Sequence, residues 1–155
     1  MSLFIATGTN LGERKENLVN AKKILAKYFE LIAESCIYES KAVDYTDQPD
    51  FYNQVLEFRT PEMSPINCME LLLEIERRMG RNRDIPKGPR LVDLDILFWD
   101  NLKIKTDKLE IPHPRLFERS FVVLPLSELP GFNKLQQKFS FTFSFPNSST
   151  AHIIN

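Results

Sequence analysis

The run Gly88-Pro89-Arg90-Leu91-Val92-Asp93-Leu94-Asp95-Ile96-Leu97-Phe98 constrains the fold more than any other part of the sequence. At period two, Val92, Leu94, Ile96 and Phe98 point one way and Leu91, Asp93, Asp95 and Leu97 the other. That pattern predicts a strand with an apolar face turned to a core. Its other face carries two carboxylates, with Cα atoms roughly 6.5–7 Å apart at the usual strand rise. Like charges this close repel unless something positive lies between them. A hard divalent cation such as Mg2+ takes oxygen ligands from one or two carboxylates together with substrate phosphates. Taken alone, Asp-x-Asp is better explained as a solvated edge-strand face whose charges discourage aggregation.

The neighbouring residues reverse that preference. Arg77, Arg78, Arg81, Arg83, Lys87 and Arg90 precede the strand, and only Asp84 opposes them there. The whole chain has a formal net charge of -1, so the cationic patch is local. Arginine presents a planar fork suited to phosphate oxygens. An Asp pair for metal and an Arg/Lys cluster for phosphate, joined by a Gly-Pro turn, suit a polyphosphate ligand. A basic helix end complementing the helix dipole would account for Arg77 and Arg78, and less well for Arg90.

Elsewhere the patterning predicts an α+β domain. Leu3–Thr7 reads as a first strand, with a loop around Gly8–Gly12. Leu18, Ala21, Leu25 and Tyr28 share a helical face, predicting a helix from Glu13 to Phe29. Leu31–Tyr38 and Phe51–Arg59 read as strands, separated by a polar loop from Ser40 to Asp50. Ser64-Pro65 supplies an N-cap and a first-turn proline for a second helix reaching Met79, with Gly80 as its stop. The order β-α-β-β-α-β suggests a ferredoxin-like sandwich, an antiparallel sheet with helices packed on it. At 155 residues the chain is long enough for one domain with a real core. The near-neutral charge argues against a general nucleic-acid or membrane-surface binder. Cys36 and Cys68 are isolated, which points to small core residues in a reducing compartment. The apolar run Leu3–Ala6 is too short for a signal peptide, so a cytoplasmic location is expected.

These residues carry a resemblance. Gly88-Pro89-Arg90-x-x-Asp93-Leu94-Asp95-Ile96 resembles the signature of the 6-hydroxymethyl-7,8-dihydropterin pyrophosphokinase family, which acts in folate biosynthesis. Asp47-Gln48-Pro49-Asp50-Phe51-Tyr52-Asn53 is similar to the family's pterin-contacting segment. Tyr38-Glu39-Ser40-Lys41-Ala42-Val43 is similar to its pterin-contact loop. Pro112-His113-Pro114-Arg115 with Arg119-Ser120-Phe121 resembles its phosphate- and pterin-contacting element. The likeness runs from about Phe4 to Pro130. It implies an α+β fold and transfer of pyrophosphate from MgATP to 6-hydroxymethyl-7,8-dihydropterin, giving AMP and the pterin diphosphate. Asp93 and Asp95 would hold two Mg2+ ions, and Arg81, Arg83 and Arg90 would stabilise phosphate charge. Glu76, Ile96, Lys108, His113 and Arg119 are the implied ATP contacts. Ser40, Val43, Phe51, Asn53 and Phe121 are the implied pterin contacts. By residue type alone, Phe51 suits a core position, His113 an exposed loop, and Glu76 a surface salt bridge. Lys87 stands where many members have Arg-Trp, Lys108 where Arg is frequent, and Pro114 where Tyr occurs.

Small-molecule substrates are the expected partners, with no nucleic acid or membrane and a monomer or weak dimer. The loop from Arg81 to Lys87, flanked by Gly80 and Gly88, reads as a lid over ATP. Residues 1–130 form the expected catalytic domain. Residues 131–155 form an atypical Phe-rich tail, expected to belong to the same domain. Phe139, Phe141, Phe143 and Phe145 alternate with polar residues as an edge strand would. Ser148–Asn155 is expected to be frayed.

Overall fold

Two long strands rich in apolar residues at alternate positions organise the molecule. In the computed structural model, which describes residues 1–41, 48–80, 91–139 and 151–154, β1 (Ser2–Thr9) and β4 (Phe51–Arg59) pair antiparallel from Ser2 with Arg59 to Thr9 with Tyr52. Helix α1 (Arg14–Leu25) and strands β2 (Leu31–Glu34) and β3 (Tyr38–Ser40) lie between them in sequence. Helix α2 (Pro65–Arg78), β5 (Asp93–Trp99), β6 (Ile104–Lys105) and β7 (Glu110–Ile111) follow. Helices α3 (Ser120–Ser127) and α4 (Phe132–Phe139) and strand β8 (His152–Ile153) complete the described elements. The main sheet runs β5-β1-β4-β3-β8, with β2 also pairing β4. Its strand pairs are antiparallel. The expected ferredoxin-like architecture is the observed one, extended by a hairpin (β6–β7), two further helices and an added edge strand.

Both sheet faces are covered. On one, Ala21 and Leu25 of α1 and Cys68, Leu72 and Ile75 of α2 pack on Leu3, Ile5, Leu56, Phe58, Leu94 and Ile96. On the other, Val122, Val123 and Leu126 of α3 and Phe132 and Leu135 of α4 pack on Phe4, Val55, Leu97 and Phe98. Each face removes a continuous apolar surface from water, the main favourable term in folding. Helix α2 starts as its sequence dictates. The Ser64 Oγ accepts the Asn67 N–H at 3.1 Å, and Pro65 occupies the first turn. It stops before Gly80, whose φ of +117° is open to glycine and strained for other residues.

Several expectations are corrected. Phe98 does not share the face of Val92, Leu94 and Ile96. The register with β1 shifts between Phe4 and Ile5, leaving Leu97 as an extra residue, and this bulge turns Phe98 onto Phe4. The stretch expected as one strand from Leu31 to Tyr38 splits at Ser35. Its buried Oγ takes the Val55 N–H at 3.0 Å and interrupts the backbone ladder. Helix α1 ends at Leu25 rather than Phe29, in a turn where Lys27 and Tyr28 bond to carbonyls three residues back. Tyr28 is therefore exposed. Cys68 is fully buried, as expected of a core residue, but Cys36 is exposed. Phe139 closes α4, with its ring 5.4 Å from that of Phe98, instead of opening a strand. The remaining alternating phenylalanines lie outside the described residues. Of the tail expected to fray, Ala151 is 4% exposed and His152–Ile153 pair with β3.

Candidate active site

Strand register assembles the site. Asp93 on β5 stands opposite Gly8 on β1, Gly8 opposite Asn53 on β4, and Asn53 opposite Tyr38 on β3. Asp95 lies two residues along, opposite Ala6, which in turn faces Val55. Cross-strand partners share a face, so both carboxylates, Asn53 and, by period two, Phe51 face the side covered by α3. Gly8 and Ala6 put no bulk between them: a Cβ on Gly8 would lie 3.3 Å from the Asn53 Oδ1. Asp95 is exposed and Asp93 partly buried. Two oxygen-donor side chains on one strand face, beside small residues, fit a hard divalent cation. Among the described residues no third His, Cys, Asp or Glu joins them in a metal-binding group. Substrate oxygens and water would have to complete the coordination.

The opposite end of the row is polar and ordered. The Asn53 Nδ2 donates to the Ser40 Oγ at 2.8 Å and to the Tyr38 carbonyl at 3.3 Å. Both amide hydrogens are thereby engaged, and Oδ1 remains the acceptor presented towards Gly8. Phe51, opposite Ser40, is half-buried at the head of β4. Phe121, in the first turn of α3, is half-buried against the second core cluster, and the Arg119 guanidinium lies 5.7 Å from its ring centroid.

His113 is not merely an exposed loop residue. Its backbone N–H donates to the Leu97 carbonyl of β5 at 3.0 Å, fixing the loop to the carboxylate strand. Burial holds its imidazole below the usual value. Arg119 and Arg115 push the same way, and Asp95 and Glu110 pull against them. The neutral ring accepts the Arg115 N–H on Nδ1 at 3.3 Å, which assigns its proton to Nε2. That nitrogen is a donor of the kind phosphate oxygens require.

Other expected residues lie elsewhere. Ile96 is buried in the α1/α2 core, on the opposite face of β5 from the carboxylates. Glu76 is 2% exposed, and its Oε1 accepts the Leu94 N–H at 3.4 Å, so it is no surface ion pair. Lys108 is exposed in the turn joining β6 and β7, where its N–H meets the Thr106 Oγ1. Arg77 and Arg78 both pair with Glu74 on exposed α2, and Arg78 also donates to the Tyr28 hydroxyl. Val43, Arg81, Arg83 and Arg90, with the expected lid from Arg81 to Lys87, lie outside the described residues.

The structure adds residues that sequence patterning did not reveal. The buried Asn10 donates to the Gln48 Oε1 at 2.9 Å and to the Pro49 carbonyl at 3.4 Å. Arg14 donates to the Asp50 carbonyl at 2.7 Å while its guanidinium sits 4.0 Å from the centre of the Tyr52 ring. Together they pin the segment that delivers Phe51 and Asn53. The Thr9 Oγ1 donates to the Leu91 carbonyl at 2.5 Å and accepts from Asn17, anchoring the entry to β5. The available signal was a cluster of polar residues directly after an apolar strand.

Comparison with known proteins identifies the family. Residues 4–131 match the family model described as 7,8-dihydro-6-hydroxymethylpterin-pyrophosphokinase. The chain is 40% identical over 128 residues to the Bacillus subtilis 2-amino-4-hydroxy-6-hydroxymethyldihydropteridine pyrophosphokinase, covering 81% of this chain and 76% of that protein. It is 40% identical over 131 residues to the Dictyostelium discoideum folic acid synthesis protein FOL1, covering 84% of this chain but only 20% of that protein. A mitochondrial folate synthesis bifunctional protein of Arabidopsis thaliana is 44% identical over 130 residues, 83% of this chain and 23% of that protein. Among solved structures, a Plasmodium falciparum HPPK-DHPS superposes with a TM-score of 0.62 at 15% identity, over 90% of this chain and 44% of that one, a likeness of fold.

Proposed function

The chain belongs to the 7,8-dihydro-6-hydroxymethylpterin-pyrophosphokinase family, and on that premise we propose that it transfers the terminal diphosphate of ATP to the hydroxymethyl group of 6-hydroxymethyl-7,8-dihydropterin. The hydroxymethyl oxygen attacks the β-phosphorus. The bond from that phosphorus to the oxygen bridging the α- and β-phosphates breaks, AMP leaves with the bridging oxygen, and the hydroxyl proton passes to solvent. The observation carrying this reading is the row of Asp93, Gly8 and Asn53 across three strands. In that register Gly8 alone separates Asp93 from the oriented Asn53 amide, with Asp95 two residues along the same strand face.

Asp93 and Asp95 would hold Mg2+, two ions in the full reading. Bound there, Mg2+ supplies charge neutralisation on the phosphates and orientation of the acceptor oxygen. The chain's own groups have separate tasks. Phe51 and Phe121 offer aromatic faces for the flat pterin ring. The Asn53 Oδ1, its amide held by Ser40 and the Tyr38 carbonyl, accepts from the pterin's N–H edge. Val43 belongs to the same contact surface by resemblance. Arg119 offsets phosphate charge, and neutral His113 donates from Nε2. Arg81, Arg83 and Arg90 take the same phosphate role by resemblance, and Glu76, Ile96 and Lys108 that of the ATP site. Small-molecule substrates and a cytoplasmic setting fit this chemistry. Among the described residues, no helix is long and apolar enough to cross a membrane.

The test is a stoichiometric one. Purified protein, MgATP and the hydroxymethyl-dihydropterin should give AMP and pterin diphosphate in equal amounts, and no AMP when the pterin is omitted. AMP formation independent of pterin would refute the assignment.

A further inference from the structure

Glu128 lies directly after α3, and both oxygens of its carboxylate are engaged. Oε2 accepts from the Tyr38 hydroxyl at 2.5 Å, and Oε1 accepts the Cys36 backbone N–H at 3.0 Å. Both partners belong to β3 or its approach, far away in sequence. Tyr38 is 7% exposed. Its backbone carbonyl receives the Asn53 amide, as does the Ser40 Oγ two residues on. The other end of α3 carries Phe121, with Arg119 just before it. One carboxylate therefore ties the helix that bears one proposed pterin wall to the strand that orients the other.

We propose that Glu128, acting through Tyr38, is a positioning residue for the pterin: it fixes the gap between the Phe121 wall and the Phe51–Asn53 wall. This rests on the pterin site assigned above. Val122, Val123 and Leu126 of α3 add apolar contacts with the sheet. Such contacts hold a helix against a sheet but set its position along the sheet less sharply than directed hydrogen bonds do. Helix α3 has eight residues, about 12 Å at the usual rise, with Pro125 inside it, so Phe121 and Glu128 stand about two turns apart at its two ends. A charge-assisted bond to a buried hydroxyl is among the stronger fixings available. Burial, reinforced by the Glu128 hydrogen bond and charge, keeps the Tyr38 hydroxyl protonated far above its ordinary range.

Steady-state kinetics of the full chain with MgATP and pterin varied separately provide the test. Tyr38→Phe should raise the pterin KM about five- to tenfold, the scale of the net contribution of one hydrogen bond. The ATP KM and kcat should stay within about twofold, because binding geometry and not the phosphate chemistry is disturbed. Glu128→Gln keeps one carbonyl acceptor and an amide that donates to the Tyr38 oxygen, so it should largely preserve the pterin KM. Combining Tyr38→Phe with Phe121→Ala should cost less than the product of the two single effects, because both act on one wall. A purely structural role would lower the melting temperature and leave the pterin KM unchanged; that result, or an equal rise in both KM values, overturns the proposal. Should Tyr38→Phe not fold, Glu128→Asp shortens the same reach and replaces it. If the wild-type protein makes no AMP, the assigned reaction fails instead, and calorimetric titration of pterin into wild type and variant still reads the clamp.

Discussion

At the scale of residues, Asp93 and Asp95 owe their common direction to the strand period and their accessibility to Gly8 and Ala6 alongside. Changing either to Asn keeps the shape and removes the charge. Turnover should fall at least about a hundredfold, the scale of losing one group that stabilises developing charge, while pterin affinity without nucleotide stays near wild type. Rate measurements at saturating Mg2+ check this, and near-normal rates in both variants would remove the carboxylates from the metal role. Phe121 makes a different contribution. Phe121→Ala should weaken pterin by roughly 1–3 kcal/mol, by comparison with base–aromatic stacking, and ATP far less. Calorimetry with each ligand alone separates a binding face from a core residue, which would weaken both equally. The shared strand face of the carboxylate pair, and that of Phe51 and Asn53, was legible because strand alternation marks it. Asn10, Arg14 and Glu128 were not. Each acts through partners distant in the chain, and no local pattern encodes which hydroxyl or carbonyl a buried polar group will meet.

At the scale of elements, period two located β4 to the residue, and a Ser-Pro start with a glycine stop located α2. The pattern failed where a single residue altered the ladder. Leu97 is the extra residue of a bulge and moves Phe98 to the other face, and the Ser35 hydroxyl replaces a backbone acceptor and divides one expected strand into two. Both depend on pairing partners that alternation does not register. The join between α3 and α4 is similarly hidden. Gly131 brings its backbone onto the sheet, donating to the Glu57 Oε1 at 3.0 Å, and a Cβ there would stand 2.7 Å from the Phe4 ring and 2.8 Å from the Glu57 Oε2. Gly131→Ala should therefore destabilise the protein by about 1–3 kcal/mol through overpacking. The midpoint of denaturant unfolding, at unchanged slope, measures it; an unchanged midpoint would mean that the turn yields freely.

At the scale of the whole molecule, two cores share one sheet, and the proposed site residues Asp93, Asp95 and Asn53 lie on the face that the second core occupies. The β-α-β-β-α-β plan was legible because each amphipathic period names one buried face. The second layer of helices and the strand added by His152–Ile153 were not, since their short apolar segments gain meaning only against a partner surface. The cysteines report on this packing. Burial pushes the Cys68 thiol up to about 12, and the Glu128 hydrogen bond and charge raise that of exposed Cys36. In native protein at mildly alkaline pH, a thiol reagent should label Cys36, slowly, and leave Cys68 untouched until denaturant is added. Rapid labelling of both would show that the α2 face of the core opens readily.

The central claim concerns which phosphorus is attacked, and ATP labelled in its γ-phosphate answers it directly. Attack at the β-phosphorus carries the label onto the pterin as the outer group of a diphosphate and leaves unlabelled AMP as the only nucleotide product. Release of ADP with a labelled pterin monophosphate would mean attack at the γ-phosphorus and would contradict the account.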